Sequence, residues 1–348
     1  MVIIRPITPD DLDQLEHLAT QVGFGLTTLP KDRELLKKRI LRSHESFQKA
    51  ATQPAGEAYL WVMEDLANGN LVGTSGIVSK VGGFDPFYAY KIKTSVHESK
   101  MLNVHKEIKV LHLVQEHSGP CDIGSLFLTP EYRKDGNGRL LSLSRFLFMA
   151  EHRSFFEPQV IAEMRGIVDE QGRSPFWEAL GRHFFEIEYP TADYLSMVNK
   201  KFIADLMPTH PIYIPLLPQA AQDVIGRVHK NTEPALHMLE TEGFKPNGMV
   251  DIFEAGPILA CARDEIRTVR ESRRATVIQI TDDPIESPPY VIGTTSLNFR
   301  ACQGPLTVDP RGGVGLNHIT AMALGVKTGD PVRFASMRPC IQSQEVAS

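Results

Sequence analysis

Residues 133–139 combine glycines and cations at a spacing that suits the binding of a phosphate group. They read Arg133-Lys134-Asp135-Gly136-Asn137-Gly138-Arg139, between an apolar stretch at 121–129 and a strongly apolar one at 140–152. These stretches predict a strand before the loop and a helix after it. Unpaired N–H groups at a helix start attract an anion, and glycines at 136 and 138 let a pyrophosphate approach the backbone. Arg133, Lys134 and Arg139 add local positive charge.

Other phosphate-binding loops are excluded by their patterns. The chain has no GxxxxGK[ST] segment, and its spacing is RxxGxG rather than the GxGxxG of a dinucleotide fingerprint. One structural alternative stays open, because glycines after a strand can simply make a tight strand-to-helix turn. The strand and helix predicted on either side favour phosphate binding over a turn alone.

The N-terminal part of the chain predicts elements that could position this loop. Residues 2–7 form a β-branched run typical of a strand, and Thr8 with Asp11 has the pattern of a capping box before a helix. A second amphipathic stretch covers residues 31–50. Two further strands, at 58–65 and 71–81, are joined by a turn around Asn68-Gly69 and predict a hairpin. This order of elements suits the α+β class, and many other folds as well.

The remainder of the chain is less regular. Residues 83–119 are polar and have no clean period, so we expect one further strand with connecting structure, and residues 160–168 predict another strand. The composition changes near 255–257. Beyond a charged helix at 264–274 the chain is rich in Pro, Gly, Thr and Val, and residues 321–335 predict strands joined by Gly-Asp turns. We therefore predict two domains, 1–255 and a small β-rich one at 256–348.

The composition excludes several classes of protein. The 348 residues carry 37 Lys and Arg against 42 Asp and Glu, a net charge of −5, which gives no reason to expect a nucleic-acid partner. The four cysteines (Cys121, Cys261, Cys302 and Cys340) have no CxxC spacing, so neither a zinc site nor a disulfide scaffold is predicted. No signal peptide and no bilayer-spanning segment is predicted. A cytoplasmic enzyme or binding protein with reduced thiols is the expectation.

Two segments resemble the GCN5-related N-acetyltransferase superfamily. SLFLTPEYRKDGNGRLL at 125–141 is similar to its acyl-CoA-binding motif, and Asn231 to Phe244 is similar to its later N-x-x-A-x-x-x-L-x-x-x-G-F motif. Residues 174–181 have a similar cadence, and the sequence leaves open which of the two copies closes the acyl-CoA site. The resemblance implies a mixed sheet flanked by helices, and an acyl-CoA cosubstrate rather than a tightly bound cofactor.

Longer stretches are similar to the bacterial arginine N-succinyltransferases, among which the alpha subunit of an arginine/ornithine succinyltransferase is one candidate. They are GLTTLP (25–30), residues 125–150, VIAEMRGIVDEQGRSPFW (160–177), KFIADLMPTHPIY (201–213) and AQDVIGRVHKNTEPA (221–235). The similarity fades after about residue 275. The resemblance implies transfer of a succinyl group from succinyl-CoA to the α-amine of arginine, with ornithine as another acceptor, at the start of arginine degradation. It also implies a homo-oligomer, or a hetero-oligomer with a paralogous subunit.

The resemblance also implies roles for individual residues. Leu126 maps onto the acyl-CoA contact of the family, and Phe127 and Leu128 continue that strand; a buried core strand is the alternative reading of the three. His229 maps onto the acid/base position, ahead of His210, His183 and His97, which have no motif match. A helix start at 231–232 would keep its imidazole neutral, because the helix dipole disfavours a cation there.

Substrate charges need partners of the opposite sign. Arg165 is a candidate for binding a carboxylate, and Glu163 or Asp169 could face a guanidinium. By analogy with the superfamily, the loop 23–30 with Gly25 lies near the acceptor. Ordinary surface ion pairs and a helix-ending turn are the alternatives.

Three functions fit these observations. The first is the succinyltransferase, with direct attack of the amine in a ternary complex, because no cysteine lies within the matched motifs. The second is a non-catalytic or partner-dependent subunit that binds CoA. The third is a different acyl-CoA transferase on the same fold.

Overall fold

The structure, a computed structural model, describes residues 1–22 and 28–339, apart from the side chain of Phe84. Within these ranges the chain forms sixteen strands, which make one sheet, and eleven α-helices. The strands are β1 (Val2–Pro6), β2 (Ala58–Asp65), β3 (Asn70–Val78), β4 (Gly82–Ser99), β5 (Val104–Ser118), β6 (Cys121–Leu128), β7 (Gln159–Glu163), β8 (Ile212–Tyr213), β9 (Lys245–Val250), β10 (Pro257–Ala262), β11 (Arg273–Thr281), β12 (Tyr290–Thr294), β13 (Ala301–Gly304), β14 (Leu306–Val308), β15 (Gly313–Asn317) and β16 (Pro331–Ser336). The helices are α1 (Leu12–Thr20), α2 (Arg33–Gln48), α3 (Asn137–Glu151), α4 (Pro175–Ala179), α5 (Gly181–Phe185), α6 (Tyr189–Val198), α7 (Lys201–Leu206), α8 (Gln219–Gln222), α9 (Glu233–Thr241), α10 (Arg267–Glu271) and α11 (His318–Leu324).

The sheet is mixed, with the strand order β14-β15-β11-β16-β12-β13-β1-β2-β3-β6-β7-β10-β9-β4-β5-β8. Neighbouring strands are antiparallel except for the pairs β6–β7 and β11–β15, which are parallel. The predicted mixed sheet flanked by helices is therefore confirmed. In the part of the chain that the structure describes, no helix has both the length and the apolar character needed to cross a membrane.

The opening elements follow the sequence signals closely. The Thr8 N–H donates a 2.8 Å hydrogen bond to Asp11, and Asp11 also accepts two hydrogen bonds from Arg5. The carboxylate of Asp32 caps α2 by accepting from the Leu35 N–H at 3.0 Å. Helix α2 then buries Leu36 and other apolar residues against β2. The predicted strand, two helices and hairpin are all confirmed.

Helix α3 is the centre of the main core. It is buried over most of its length and contacts strands on both sides of β1, from β3 to β16. Phe148 makes edge-to-face contacts with Phe47, Trp61 and Phe299, with ring centroids 5.8, 5.1 and 5.4 Å away. Burying an aromatic side chain of this size stabilises a fold by about 1.5–3 kcal/mol. The buried remainder of α3 therefore fixes the position of its first turn, which follows the glycine loop.

The prediction for residues 83–119 was wrong. They form two long antiparallel strands, β4 and β5, whose register runs from Gly82 opposite Ser118 to Ser99 opposite Val104. Much of this hairpin is exposed on both faces, and a strand without a buried face has no alternating apolar pattern. Pairing between the strands stabilises the hairpin, and single-strand periodicity does not reveal such pairing.

Three other boundaries also differ from the prediction. Strand β7 ends at Glu163, not at 168, and the helix predicted over 264–274 is limited to α10, with β11 starting at Arg273. Part of the stretch 321–335 is helical, because α11 is capped by Asn317, which accepts from the Thr320 N–H, and ends at Gly325 with a φ of 70°. The cap at Asn317 and the helix end at Gly325 are both visible in the sequence, but the apolar alternation of this stretch favoured a prediction of strands. Strands nevertheless dominate residues 256–339, as predicted.

Candidate active site

Strands β6 and β7 form a fork in the middle of the sheet. Within the described residues they pair only at Cys121 with Val160 and Asp122 with Ile161. Beyond that point β6 follows β3 to Leu128, whereas β7 follows β10. Ser125 has a φ of 54°, the register with β3 shifts beside it, and its carbonyl accepts a 2.7 Å hydrogen bond from Thr74. This bulge turns the strand as it leaves β7.

The glycine loop joins the end of β6 to the first turn of α3. Gly136, the residue before the helix, has a φ of 78°, and Asp135 has a φ of 53°. The Arg133 Nε donates to the Leu128 carbonyl at 2.9 Å, and the Asn137 side chain donates to the Tyr132 carbonyl at 3.1 Å. These contacts stabilise the loop from within. The Asn137 N–H donates to the Lys134 carbonyl at 3.0 Å and the Leu140 N–H donates to the Gly136 carbonyl at 2.9 Å. The N–H groups of Gly138 and Arg139 are therefore the ones in this turn that can bind an anion.

Gly138 has space around it. A Cβ built there meets only a Leu128 methyl group, at 3.9 Å. A Cβ on Gly136, in contrast, lies 3.1 Å from the Gln303 side chain, which itself donates to the Asp135 carbonyl at 2.6 Å. A glycine is therefore needed at 136 by the fold, and at 138 the described protein gives no steric reason for one.

The charges around the loop favour an anion. Arg133 and Lys134 are exposed, and Arg139 is half-buried. Burial lowers the pKa of Arg139, and the positive charges of Arg338 and Arg267 lower it further. Glu242 opposes these two charges in part, and a phosphate group at the start of α3 would favour the charged form of Arg139 further.

His229 immediately precedes a short turn that leads into α9. Its Nδ1 accepts a 3.2 Å hydrogen bond from the Asn231 N–H, so the imidazole proton belongs on Nε2. Its own N–H donates to the Arg165 carbonyl at 2.9 Å. Burial lowers the pKa of His229, and the charges of Arg165 and Lys230 act in the same direction. The ring is therefore neutral near pH 7.

The fold distinguishes the two segments of similar cadence. Residues 231–244 form α9 and the turn after it, and Leu239 and Phe244 belong to the same core as α3, with Phe244 5.9 Å from Phe146. Leu126 of β6 packs against that core as well. Residues 174–181 instead belong to a separate core around Trp177. The segment at 231–244 is the one that lies beside the fork.

A cleft of about 780 Å³ opens next to the fork, and its lining combines apolar residues with many charged side chains. One side is basic: Lys38, Arg39, Arg42 and Lys80. The acidic cluster consists of Asp122, Glu163, Asp251 and Glu254, with Lys200 as its cationic neighbour. A cleft with these two parts can bind a molecule or pair of molecules with separated charges.

Burial raises the pKa of all four carboxyl groups of the acidic cluster. For Glu163 the negative charges of Asp122 and Asp251 raise the pKa further, while Lys200 opposes them. Glu163 is open to the cleft but surrounded by protein on its other sides. The Asp122 Oδ1 is buried without a hydrogen-bond partner among the described residues. The four carboxyl groups therefore do not all ionise easily in the free chain, and a cationic ligand would favour their ionised form.

Glu254 is positioned by two hydrogen bonds. It accepts from the Gly166 N–H at 2.7 Å and from the Tyr189 hydroxyl at 2.7 Å. Gly166 approaches the chain so closely that a Cβ there would lie 2.4 Å from the Glu254 carbonyl oxygen. These contacts tie the segment after β7 to the turn after β9. Among the described residues, no group of His, Cys, Asp and Glu is arranged to hold a metal ion.

The remaining predicted residues are placed as follows. Arg165 lines the cleft, and its Nε is buried without a partner in the described protein. Asp169 lies in an exposed turn, where it accepts hydrogen bonds from the backbone and side chain of Arg173, so it is not brought to the cleft. Leu126, Phe127 and Leu128 lie on β6 at the fork. Gly25 lies outside the described residues.

Comparisons with known proteins identify the family of this chain. A family model described as the arginine N-succinyltransferase beta subunit matches residues 2–268, and one for the C-terminal domain of that subunit matches residues 273–336. The chain belongs to the arginine N-succinyltransferase family. An arginine N-succinyltransferase of Yersinia pestis (strain Pestoides F) is 44% identical, over 97% of this chain and 98% of that protein. An arginine N-succinyltransferase subunit beta of Pseudomonas aeruginosa is 45% identical, over 95% and 97%.

A solved structure is also similar throughout. Subunit AI of the arginine/ornithine succinyltransferase from Pseudomonas aeruginosa has a TM-score of 0.89 and 37% identity, covering 97% of this chain and 99% of that one. The likeness to the arginine N-succinyltransferase family therefore does not fade after residue 275. The predicted loss of similarity was wrong, because it was based on long matching stretches that all lie before residue 236, whereas the C-terminal family model matches residues 273–336. The matching models are those of a beta subunit, whereas the sequence had suggested an alpha subunit.

Several residues of this arginine N-succinyltransferase cleft were missed from the sequence. They are Arg39, Asp122, Lys200, Asp251 and Glu254. They come from α2, β6, the start of α7 and the turn after β9, which are far apart in the chain. No local motif connects them, and single charged residues on such elements are usually solvated.

Proposed function

We propose that this chain transfers the succinyl group of succinyl-CoA to the α-amine of L-arginine, and to that of ornithine as a second acceptor. The products are the N2-succinyl amino acid and CoA, at the first step of arginine degradation. Membership of the arginine N-succinyltransferase family over nearly the whole chain carries the proposal. A cleft with a basic side and an acidic cluster supports it, because both substrates have separated charges.

The loop and the fork are the proposed CoA site. The pyrophosphate would accept hydrogen bonds from the N–H groups around Gly138, with Arg133, Lys134 and Arg139 nearby and Gly136 and Asn137 shaping the turn. The pantetheine arm would lie in the fork along Leu126, Phe127 and Leu128. A backbone N–H on the bulged strand would then polarise the thioester carbonyl as negative charge develops on its oxygen.

His229 is the proposed proton-transfer residue. The acceptor ammonium must lose a proton before its nitrogen can attack the thioester carbon, and the departing CoA sulfur must gain one. Because burial and two nearby cations keep the imidazole neutral, it can accept the first proton and supply the second. The three cysteines that the structure describes are buried. Burial raises the pKa of the Cys302 thiol to about 12, and direct attack by the amine avoids an acyl-cysteine intermediate.

The acidic cluster is the proposed site of the acceptor side chain. A guanidinium or ammonium group would ionise Asp122 and Glu163 and pair with them. Arg165, which lies beside His229, would bind the α-carboxylate of the same molecule. The acceptor amine would then lie between the two charged groups and close to the proton-transfer residue.

A second function has one observation in its favour. Two similar proteins are named as subunits, so this chain could bind CoA and act only with a paralogous partner. A homo- or hetero-oligomer in the cytoplasm is part of the proposal in either case, and so is the division into units at 1–255 and 256–348.

The experiment that separates these functions measures release of free CoA thiol by the purified chain. Acetyl-CoA and succinyl-CoA are each combined with arginine, ornithine and lysine. Turnover only with succinyl-CoA and arginine or ornithine supports the first function. No turnover with any pair, together with measurable CoA binding, would favour the partner-dependent subunit, and turnover with a different pair would indicate another acyltransferase.

A further inference from the structure

Arg39 is a cation in the cleft without an anionic partner. It projects from α2 into the cleft, and its Nη2 donates a 3.2 Å hydrogen bond to the Ser125 hydroxyl. Its Nε is buried and has no acceptor among the described residues. No ion pair of Arg39 with a carboxylate exists in residues 1–22 or 28–339. Leaving a guanidinium unpaired in such a place is unfavourable, since transfer of a charge out of water is not compensated.

The neighbours of Arg39 increase this cost. Burial lowers its pKa to about 10, and the next influence is the positive charge of Arg42. Lys38 and Lys80 line the same side of the cleft. Lys80 pairs with Glu157 at 2.9 Å, whereas the guanidinium of Arg39 is charged at neutral pH and has Arg42 as its charged neighbour, so an anion bound there would relieve their repulsion. Nothing in the packing of α2 requires an arginine here, because its apolar face is formed by Leu36 and Ile40.

The location of Arg39 indicates which anion it binds. Its hydrogen-bond partner, Ser125, is the bulged residue of β6 and directly precedes Leu126, where the thioester carbonyl is placed under the proposed function. A succinyl group continues from that carbonyl through two methylene groups to a carboxylate. An acetyl group ends after one methyl group. A planar guanidinium suits bidentate binding of a carboxylate.

We propose that Arg39 binds the distal carboxylate of the succinyl group and thereby selects succinyl-CoA over acetyl-CoA. The inference rests on the proposed function for the position of the thioester. Arg165 lies on the other branch of the fork, after β7 and next to His229. The two arginines thus account for the two carboxylates of the reaction, one on each substrate.

The test uses binding as well as turnover. Affinities for succinyl-CoA and acetyl-CoA are measured by calorimetry on the full chain and on R39Q, R39K and K37Q. Lys37 lies on the same helix, is exposed and does not line the cleft, so K37Q controls for the lost charge and for the stability of α2. Thermal unfolding of each variant shows whether it is folded, and the neutral amide of R39Q keeps a side chain of similar length.

The expected result is a change of preference. In R39Q the affinity for succinyl-CoA should fall about 10- to 100-fold, since a hydrogen bond to a charged group is of order 1.5–3 kcal/mol. Affinity for acetyl-CoA should not fall, R39K should recover part of the loss, and K37Q should match the unaltered chain. Equal losses for both thioesters, or no loss for either, would overturn the proposal.

A second arm identifies the carboxylate. Steady-state kinetics compare arginine with argininamide, which keeps the α-amine and the guanidinium but lacks the carboxylate. R39Q should lower kcat/KM for both acceptors by the same factor, whereas R165Q should remove the preference for arginine over argininamide. If R39Q instead removed the preference for arginine over argininamide, and R165Q lowered kcat/KM for both acceptors equally, the proposal would be overturned. If the unaltered chain turns over no succinyl-CoA, the proposed function fails in this arm, and the calorimetric preference still decides the role of Arg39.

Discussion

The backbone N–H of His229 donates a 2.9 Å hydrogen bond to the carbonyl of Arg165. This bond joins the turn before α9 to the segment that follows β7, so two residues far apart in sequence lie at one side of the fork. The guanidinium of Arg165 also lowers the pKa of His229, together with burial and Lys230. The position of the imidazole and its protonation state thus both depend on Arg165.

Replacement of His229 tests the proton-transfer step. H229A should lower kcat about 100- to 10,000-fold, the range that general acid–base groups contribute, with little change in the melting temperature. H183A is the control, because His183 is exposed on α5. In the unaltered chain, kcat at saturating arginine should fall only below about pH 6.5, since the lowered pKa keeps the ring neutral down to that range. Near-normal turnover of H229A would remove the assignment.

The two glycines of the loop should respond differently to alanine. G138A should leave the free energy of unfolding unchanged but weaken CoA binding by about tenfold or more, which is about 1.4 kcal/mol, because its Cβ projects into open space where a pyrophosphate would lie. G136A should destabilise the fold by about 1–2 kcal/mol, because an alanine at a φ of 78° is strained. Urea unfolding and calorimetry with CoA separate the two effects. Normal CoA affinity in G138A would contradict the phosphate site.

The acidic cluster should determine affinity for the acceptor. D122N should raise the KM for arginine about 10- to 100-fold, since an ionised hydrogen-bond partner contributes about 1.5–3 kcal/mol, and should leave the KM for succinyl-CoA unchanged. E170Q is a matched control, since Glu170 is exposed and does not line the cleft. Steady-state titrations of each substrate provide the measurement. Equal effects on both substrates would indicate a general disturbance of the cleft.

Arginine affinity should rise with pH. Burial raises the pKa of Glu163 and Glu254, so the free chain holds protons on the cluster above the ordinary carboxyl range near pH 4. A bound guanidinium favours the ionised form, so binding should release protons near neutral pH. Calorimetry in buffers of different ionisation enthalpy measures that release. Without arginine, the free energy of unfolding should fall as the pH rises through this range, because the folded state binds more protons than the unfolded state. A pH-independent affinity would argue against the site.

A buried ion pair links α10 to the end of α9. Glu242 accepts hydrogen bonds from Arg267 at 2.6 and 2.9 Å and from the Thr268 N–H at 2.8 Å, and both side chains of the pair are almost fully buried. R267M should lower the free energy of unfolding by about 3–5 kcal/mol, because it leaves a buried carboxylate uncompensated. R270M, on the exposed face of the same helix, should change it by about 0–1 kcal/mol. Similar values for both variants would show that burial does not matter here.

Local signals were sufficient for part of the fold. The capping box at Thr8, the hairpin turn at Gly69 and the strand, glycine loop and helix around Gly136 are each encoded within a few residues, so periodicity and turn chemistry predicted them. The long hairpin of β4 and β5 was not predicted, because it is stabilised by pairing between its two strands and has little alternating burial. Helix α11 was missed for a different reason, because its local signals at Asn317 and Gly325 compete with an apolar alternation typical of strands.

By itself the sequence determined the strand, glycine loop and helix around Gly136, the motif around His229 and the family, because those depend on residue types at short, fixed spacings. Only the tertiary structure decided which segment shares a core with β6, that Arg39 contacts β6 whereas Arg165 follows β7, and that the four carboxyl groups of the acidic cluster line the same cleft. It also removed Asp169 from that cleft, where Arg173 satisfies it locally. The physical reason is that charge and burial act through space, and residues distant in the chain meet only when the sheet has formed.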